Sequence, residues 1–261
     1  MILYTYKKGS DNMLTEKRYE KILEMLNEKS VLTVKEITQA LRSSDATTRR
    51  DLQALDNMGK LKKVHGGAAK IENSSFIKKE EDIITRENIN KEEKDKIGKK
   101  AASLIEENDF IYLDAGTSTG AMIKYITAKN VTFVTNGLYH ALTLSKMGYK
   151  VFITSGEARE ITGSVVGSEA VKSLVKYNFT KGFFGTNGID IKAGYTTYAE
   201  KEALIKGAAI KKGKEAFILS DDSKFNKIAP ITFANIKDAV IITSSDVNNS
   251  FKGKTKILEA K

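Results

Sequence analysis

The sequence contains no cysteine. That absence excludes disulfides, thiolate catalysis and cysteine-ligated metal. Histidine is scarce, with His65 and His140 alone, which leaves little material for a histidine-rich metal site. No apolar run approaches the roughly 20 residues of a membrane span. Met1–Asn12 is too short for a signal peptide and lacks its apolar core. These absences predict a chain with no metal or cofactor and no membrane partner, in a reducing, cytoplasmic setting.

What remains is an ordinary globular balance, 41% hydrophobic and 29% charged over 261 residues. That length accommodates a small domain and one of typical size. The net charge of +10 suits a polyanionic partner, and its distribution is more telling than its total. Between Arg42 and Lys70 stand Arg42, Arg49, Arg50, Lys60, Lys62, Lys63 and Lys70, against only Asp45, Asp51 and Asp56. Elsewhere the excess is spread along the chain and reads as solubility.

Met1–Asn12 has no periodic pattern and is expected to be a disordered extension, with Met13 the natural first residue. Residues 13–71 read as one domain. Thr15–Asn27 is helical by period, with Tyr19, Ile22, Leu23 and Leu26 on one face. A second helix starts at Thr33, where Thr33-Val34-Lys35-Glu36 has the capping-box spacing. Arg42-Ser43-Ser44 is a turn, and Ser44 or Asp45 can cap a third helix that Gly59 ends. Leu61–Val64, His65-Gly66-Gly67 and Ala68–Ile71 then form a β-hairpin wing.

On the third helix, Thr48, Leu52 and Leu55 mark the packed face. At about 100° per residue, Ala46 and Arg50 point away from it, with Thr47 and Arg49 on the flanks. A helix entering the major groove needs small residues for close approach and arginines to reach phosphates or guanine edges. An Arg-Arg pair alone marks a solvated face. Capped helices before it and a lysine-flanked wing after it change that reading to DNA binding. Asp51 is expected to orient a neighbouring arginine.

Residues 72–90 read as a polar linker with some helix, and 91–261 as a second domain for effector sensing and oligomerisation. Strands are expected at Phe110–Leu113, Val131–Val134, Val151–Thr154, Lys181–Phe184, Phe217–Leu219 and Ala239–Ile242. Helices are expected at Ala121–Ile126, Leu138–Lys146, Ser168–Tyr177 and Glu200–Lys212. The alternation predicts an α/β fold with a Rossmann-like, mostly parallel sheet.

Polar turns follow successive strands: Asp114–Gly120, Thr135-Asn136-Gly137, Ser155–Arg159, Gly185–Asp190 and Asp221–Lys224. In a parallel sheet such turns gather at one edge, where ligands bind. The hydroxyl-rich Gly116-Thr117-Ser118-Thr119 turn before a helix can cradle a phosphate. Together with Arg159, Lys224 and several amides it suits a sugar phosphate.

Two stretches carry a resemblance to the DeoR family of bacterial regulators. One is Ser44-Asp45-Ala46-Thr47-Thr48-Arg49-Arg50-Asp51-Leu52, with Leu55, Gly59, Leu61 and Val64-His65-Gly66-Gly67-Ala68. The other comprises Asp114–Thr119, Thr135-Asn136, Val166-Gly167, Gly188-Ile189-Asp190, Glu202-Ala203 with Lys206, and Asp221 with Ser223-Lys224-Phe225. The departures are Thr48 for a β-branched aliphatic, Lys63 for arginine, and Ser155-Gly156 for paired glycines.

The resemblance implies a winged helix-turn-helix joined to a sheet domain of the sugar-phosphate isomerase and CoA-transferase type. It implies DNA contacts from Ser44, Ala46, Thr47, Arg49, Arg50, Lys63, His65 and Gly66. It implies a phosphorylated sugar as effector, with fructose 1-phosphate a first guess. That effector would be held by Asp114, Gly116, Thr117, Ser118, Thr119, Thr135, Asn136, Arg159, Gly188, Asp190, Glu202 and Lys224. Expected partners are operator DNA and another copy of the chain, as a homodimer or homotetramer.

The expected function is a repressor of a sugar-utilisation operon, released from its operator by that effector. The alternative is a sugar-phosphate isomerase-like enzyme with an accessory nucleic-acid module. Isomerisation needs a positioned base. Asp190 and Glu202 are the candidates, but the Gly185–Asp190 turn lacks a close acid cluster.

Overall fold

The computed structural model describes residues 14–58, 60–70, 75–77, 79–244, 251 and 253–260. The expected extension 1–12, the helix-ending Gly59 and the wing's last residue Ile71 lie outside them. The chain forms two compact units, 1–72 and 73–261. No described helix is long and apolar enough to cross a membrane.

The first unit runs α1 (Thr15–Glu28), β1 (Val31–Thr33), α2 (Val34–Leu41), α3 (Asp45–Asn57), β2 (Lys62–Val64) and β3 (Gly67–Ala69). Its caps explain its boundaries. Thr33 Oγ1 accepts from the Glu36 N–H at 3.2 Å, and Glu36 Oε2 accepts from the Thr33 N–H at 2.7 Å. Ser44 accepts from the Thr47 N–H at 3.2 Å and starts α3. Ile22, Leu26, Ile37, Leu41, Leu52, Leu55 and Leu61 make the core. Thr48 is buried there, and its hydroxyl meets those of Thr38 at 3.0 Å and Ser43 at 2.9 Å. A polar residue is thereby accommodated at a helix–helix contact.

Asp51 does not orient an arginine of its own helix. It accepts from Arg18 of α1, at 2.7 Å from Nε and 3.0 Å from Nη2. Three residues on from Thr48, its side chain falls on the packed side of α3, while Arg49 and Arg50 are carried to the exposed side.

The wing is part of a three-stranded sheet in the order β1-β3-β2, antiparallel throughout. The third strand, β1, is an element that the sequence reading did not foresee. Gly66 turns the hairpin at φ +79°. A Cβ on Gly67 would stand 2.0 Å from the Leu32 carbonyl oxygen, so only glycine lets β3 lie against β1.

The second unit opens with β4 (Ser75–Phe76), α4 (Ile83–Asn88), α5 (Lys91–Ala102), β5 (Phe110–Leu113), α6 (Thr117–Ile123), β6 (Thr132–Thr135), α7 (Leu138–Lys146) and β7 (Lys150–Ile153). It continues through β8 (Glu157–Arg159), β9 (Ser164–Val166), α8 (Ser168–Leu174), β10 (Phe179–Gly185), β11 (Gly188–Asp190), β12 (Gly194–Thr197) and α9 (Glu200–Lys212). It ends with β13 (Gly213–Leu219), β14 (Lys227–Ile228), β15 (Ile231–Ala234), β16 (Val240–Thr243) and β17 (Ile257–Glu259).

Among the described residues, seven strands form one parallel sheet in the order β17-β16-β13-β10-β5-β6-β7. Side chains alternate between its faces. Tyr112, Phe184, Ile218 and Ile241 pack toward α8 and α9. Ile111, Leu113, Phe183, Leu219 and Ile242 pack with Ile97, Met122 and Leu144 on the other side. The chain leaves β5 toward β6 and β7, then returns to lay β10 on the opposite side of β5. The connections therefore diverge between β5 and β10, where an open parallel sheet has its crevice.

The described part of the stretch expected as a linker belongs to this unit. β4 pairs with β14, and Arg159 forks onto Glu80 at 3.0 and 2.6 Å. Tyr198 donates to the Lys79 carbonyl. The partners lie far along the chain, so the local sequence reads only as polar.

Gly67→Ala is predicted to destabilise the first unit by about 3 kcal/mol, and Gly66→Ala by about 1 kcal/mol. Denaturant midpoints followed by circular dichroism check this. Equal costs would contradict the close approach at Gly67.

Candidate DNA-binding face and effector cavity

In the first unit, α3 exposes Ala46, Arg49, Arg50 and Gln53, and buries Thr48, Asp51, Leu52 and Leu55. Ser44 and Thr47 hold one another at the helix start, with hydroxyls 2.9 Å apart. Arg50 Nε lies 3.4 Å from the Ala46 carbonyl. The wing is tied to this helix twice. Lys63 donates from its backbone N–H to Asp56 at 3.0 Å and from Nζ to Gln53 at 2.7 Å. His65 and Gly66 are exposed at the hairpin tip. The eight sequence-predicted residues thus occupy the start of α3, its outer face and the wing. Gln53, one turn beyond Arg49 and Arg50, is exposed on the same face and stands outside the sequence-predicted set.

In the second unit a cavity of about 680 Å³, counting its open mouth, lies at the carboxyl ends of β5, β6 and β10. Its floor is an ion pair. Asp114, which follows β5, accepts from Lys206 of α9 and from the Gly185 N–H at 3.0 Å. Lys206 also donates to the Gly185 carbonyl at 3.0 Å. Both side chains are buried, so each charge is compensated where water cannot reach it. Asn136 is also fixed: its Oδ1 accepts from the Ala115 N–H at 3.1 Å and its Nδ2 donates to Val165 O at 3.3 Å.

Of the sequence-predicted effector residues, Asp114, Gly116, Thr117, Ser118, Asn136, Glu202 and Lys224 line this cavity. The others do not line it. Thr119 turns inward and donates to the carbonyls of Asp114 at 2.6 Å and Gly116 at 2.7 Å. Thr135 donates to Leu113 O at 2.6 Å and accepts from the Gly137 N–H. Gly188 lies in β11. Asp190 accepts from the N–H groups of Lys192 at 2.8 Å and Ala193 at 2.7 Å, closing its own turn. Arg159 is engaged by Glu80 and, at 3.0 Å, by Glu202.

The cavity also holds groups that sequence reasoning did not assign: Glu81, Arg86, Lys94, Thr162, Ser164 and Lys206. Lys94 is buried and donates to the Arg86 carbonyl. Burial pulls its ammonium below the ordinary lysine range, and the charges of Lys224 and Arg86 press the same way against Asp221 and Glu87. Arg86 Nε is buried without a hydrogen-bond partner. Lys224 sits on a turn organised by Asp221, which accepts from Ser223 N–H at 3.1 Å and Asn90 Nδ2 at 3.0 Å. One signal for Lys94 was present. It lies three residues before Ile97 and seven before Ala101, on the face of α5 that packs. Three cations crowded around a cavity with few free carboxylates suit an anion.

Residues 18–74 match the DeoR-like helix-turn-helix domain, and residues 89–245 the DeoR C terminal sensor domain. The chain belongs to the DeoR family. It is 41% identical over 233 residues to the Bacillus subtilis (strain 168) protein described as an uncharacterized HTH-type transcriptional regulator, FruR, across 89% of this chain and 92% of that one. It is 35% identical over 219 residues to the lactose phosphotransferase system repressor of Lactococcus lactis subsp. lactis, across 82% and 85%. Among solved structures, the full-length sorbitol operon regulator SorC of Klebsiella pneumoniae aligns over 80% of this chain and 89% of its own. Its identity is 10% and its TM-score 0.37, too distant to carry an argument. As a DeoR-family protein the chain is a DNA-binding transcriptional regulator and not an enzyme.

His140 supplies a pH test of the cavity frame. Its Nε2 lies 3.0 Å from the Gly116 carbonyl oxygen at the start of α6. Burial holds its pKa below the ordinary value of about 6.5. The unfolded chain therefore binds more protons, and stability is lost as pH falls from about 6.5 toward the lower folded value. The thermal midpoint is predicted to fall more steeply between pH 7 and pH 5 in the native chain than in His140→Gln. Parallel slopes would contradict a neutral buried imidazole.

Proposed function

We propose that this DeoR-family repressor of a sugar-utilisation operon leaves its operator when a phosphorylated sugar enters the cavity at the ends of β5, β6 and β10. The observation that carries this reading is the convergence of Arg86, Lys94 and Lys224 on one small polar cavity. Their mutual repulsion is relieved by a dianion. The phosphate lies between these cations and the Gly116-Thr117-Ser118 turn. Asn136 donates its remaining Nδ2 hydrogen, and Glu202 accepts, at sugar hydroxyls. Fructose 1-phosphate is the first candidate; the Lactococcus relative, a lactose phosphotransferase system repressor, supports the wider class of phosphorylated sugars.

On the DNA side, α3 enters the major groove. Thr47, Arg49 and Arg50 reach bases and phosphates, Ser44 and Ala46 permit close approach, and Lys63, His65 and Gly66 meet the backbone at the wing. A homodimer or homotetramer presents paired helices to half-sites about one or two turns apart. The setting is the cytoplasm.

The route from effector to DNA runs through residues 79–90. They follow the first unit in the chain, and Glu81, Arg86 and Ile89 wall the cavity. An anion that draws Arg86 inward shifts this segment. Release then follows from the effector's different affinity for two arrangements, with no chemistry.

Arg50→Ala is predicted to weaken operator binding at least tenfold, about 1.4 kcal/mol or more, while leaving effector-induced thermal stabilisation unchanged. Lys94→Ala and Lys224→Ala are predicted to do the reverse. Gel shifts with the cognate promoter and thermal shifts with sugar phosphates distinguish the two sets. Unaltered induction in both lysine variants would place the effector elsewhere.

A further inference from the structure

The two edges of the parallel sheet differ. At one, β17 keeps Ile257 and Leu258 half-buried, and its exposed residue is the charged Glu259, a common protection for an edge strand. At the other, β7 exposes Phe152 and Ile153, at 38% and 47%, and β6 is its one strand partner among the described residues. A parallel sheet ordinarily has both faces covered. At β7 both faces stay open. Phe152 lies on the α8 side, its ring 6.2 Å from that of Tyr177, and Ile153 points to the opposite face, that of α7. The exposed Val175 caps α8, and the exposed Leu142 and Met147 belong to α7 and its cap.

The backbone at this edge complements itself. The Thr154 N–H points inward and donates to the Thr135 carbonyl at 3.0 Å. Directions alternate along a strand, so Lys150 and Phe152 also turn their N–H and C=O groups toward β6, and Val151 and Ile153 turn theirs outward. A two-fold axis through Phe152 sets Val151 of each copy opposite Ile153 of the other, and each such pair exchanges two hydrogen bonds. Phe152 then meets its own counterpart at the closely spaced, non-hydrogen-bonded position. An axis through Val151 is poorer. It pairs Ile153 with Tyr149, whose N–H is already given to the Leu144 carbonyl at 3.2 Å. The Phe152 axis also carries the two Lys150 side chains to opposite ends, about 14 Å apart and beyond the roughly 10 Å screening length.

We propose that two copies of this chain join at β7, antiparallel, with their sheets continuous across a two-fold axis through Phe152. Leu142, Met147, Phe152, Ile153 and Val175 together expose roughly 500 Å², close to the apolar share of the ~800 Å² that each partner buries in a stable interface. Among the described residues each chain carries one helix-turn-helix, and paired half-sites need two. This rests on the oligomer of the proposed function. It adds the surface and the register.

The absence of cysteine makes the register testable. In Phe152→Cys the two thiols face each other with Cα atoms about 4.5 Å apart, within the span of a disulfide. Mild oxidation of the full chain is expected to convert most of it to a covalent dimer on a non-reducing gel. Lys150→Cys, with its thiols at opposite ends, is expected to stay uncrosslinked. Phe152→Glu sets two carboxylates directly opposite each other. It is expected to halve the oligomer mass in analytical ultracentrifugation, with Kd raised roughly tenfold or more. Phe152→Lys is expected to do the same, and an equimolar mixture of the two to restore the native mass, which misfolded chains would not do. Phe152→Cys that fails to cross-link, Lys150→Cys that cross-links equally, or a Glu and Lys mixture that stays dissociated would each overturn the inference. Full native mass in both charge variants would overturn it too, and would leave the proposed function standing with its oligomer formed elsewhere. A native chain that is monomeric at roughly 50 μM would remove this interface and the paired half-sites together, without touching the effector cavity.

Discussion

The buried pair Asp114–Lys206 is the contact on which the second unit's cavity depends. It lies where the connections from β5 and β10 diverge, and it joins the ends of both strands to α9 through the Gly185 backbone. A crevice between two strand ends is a weak point of a parallel sheet. A compensated charge pair closes its floor while keeping the surroundings polar. It also settles the electrostatics above it. With Lys206 neutralised from below, the positive character of the cavity comes from Arg86, Lys94 and Lys224 on its walls. All three line the cavity, Lys94 while also donating to the Arg86 carbonyl.

The first unit follows the same logic. Asp51 lies inside α3 and is neutralised by Arg18 of α1. Had it faced outward it would have offset Arg49 and Arg50. With the acid turned inward, the outer face of α3 keeps arginines and small residues, and Lys63 and Gln53 fasten the wing beside it. In both units an internal ion pair hides a carboxylate and leaves other cations on an exposed face or a cavity wall. Arg159 shows the same economy of charge. It bridges Glu80 and Glu202, so the segment next in the chain to the first unit is fastened to a residue of the cavity wall.

Much of the fold was legible because it is set by local signals. The Thr33–Glu36 and Ser44 caps, the period of α3 and the Gly-Gly turn each need only neighbouring residues. The buried runs of β5, β6, β10, β13 and β16 mark themselves by apolar content. The turns after those strands could be assigned to one edge because alternation with helices implies parallel strands. The site was legible in outline for that reason. Asp114, Gly116, Thr117, Ser118, Asn136, Glu202 and Lys224 come together in the cavity. Arg86 and Lys94 were missed because they lie in a polar stretch whose neighbours in space are more than a hundred residues away, at Lys224 and Asp221.

The sequence by itself determined where helices and strands begin, which face of each is packed, and that a basic helix with a wing precedes an α/β domain. These depend on periodicity and on hydrogen bonds between near neighbours. Only the tertiary structure decided how the charges pair. It gave Asp51 to Arg18, Lys206 to Asp114 and Arg159 to Glu80, and it turned residues 79–90 into a wall of the cavity. Pairing depends on distance through space, and in a parallel sheet the groups that meet at one edge come from strands far apart in the chain. The arginines of α3 are exposed by the period of their own helix, whereas the partner that neutralises the buried Asp51, Arg18, stands on another helix.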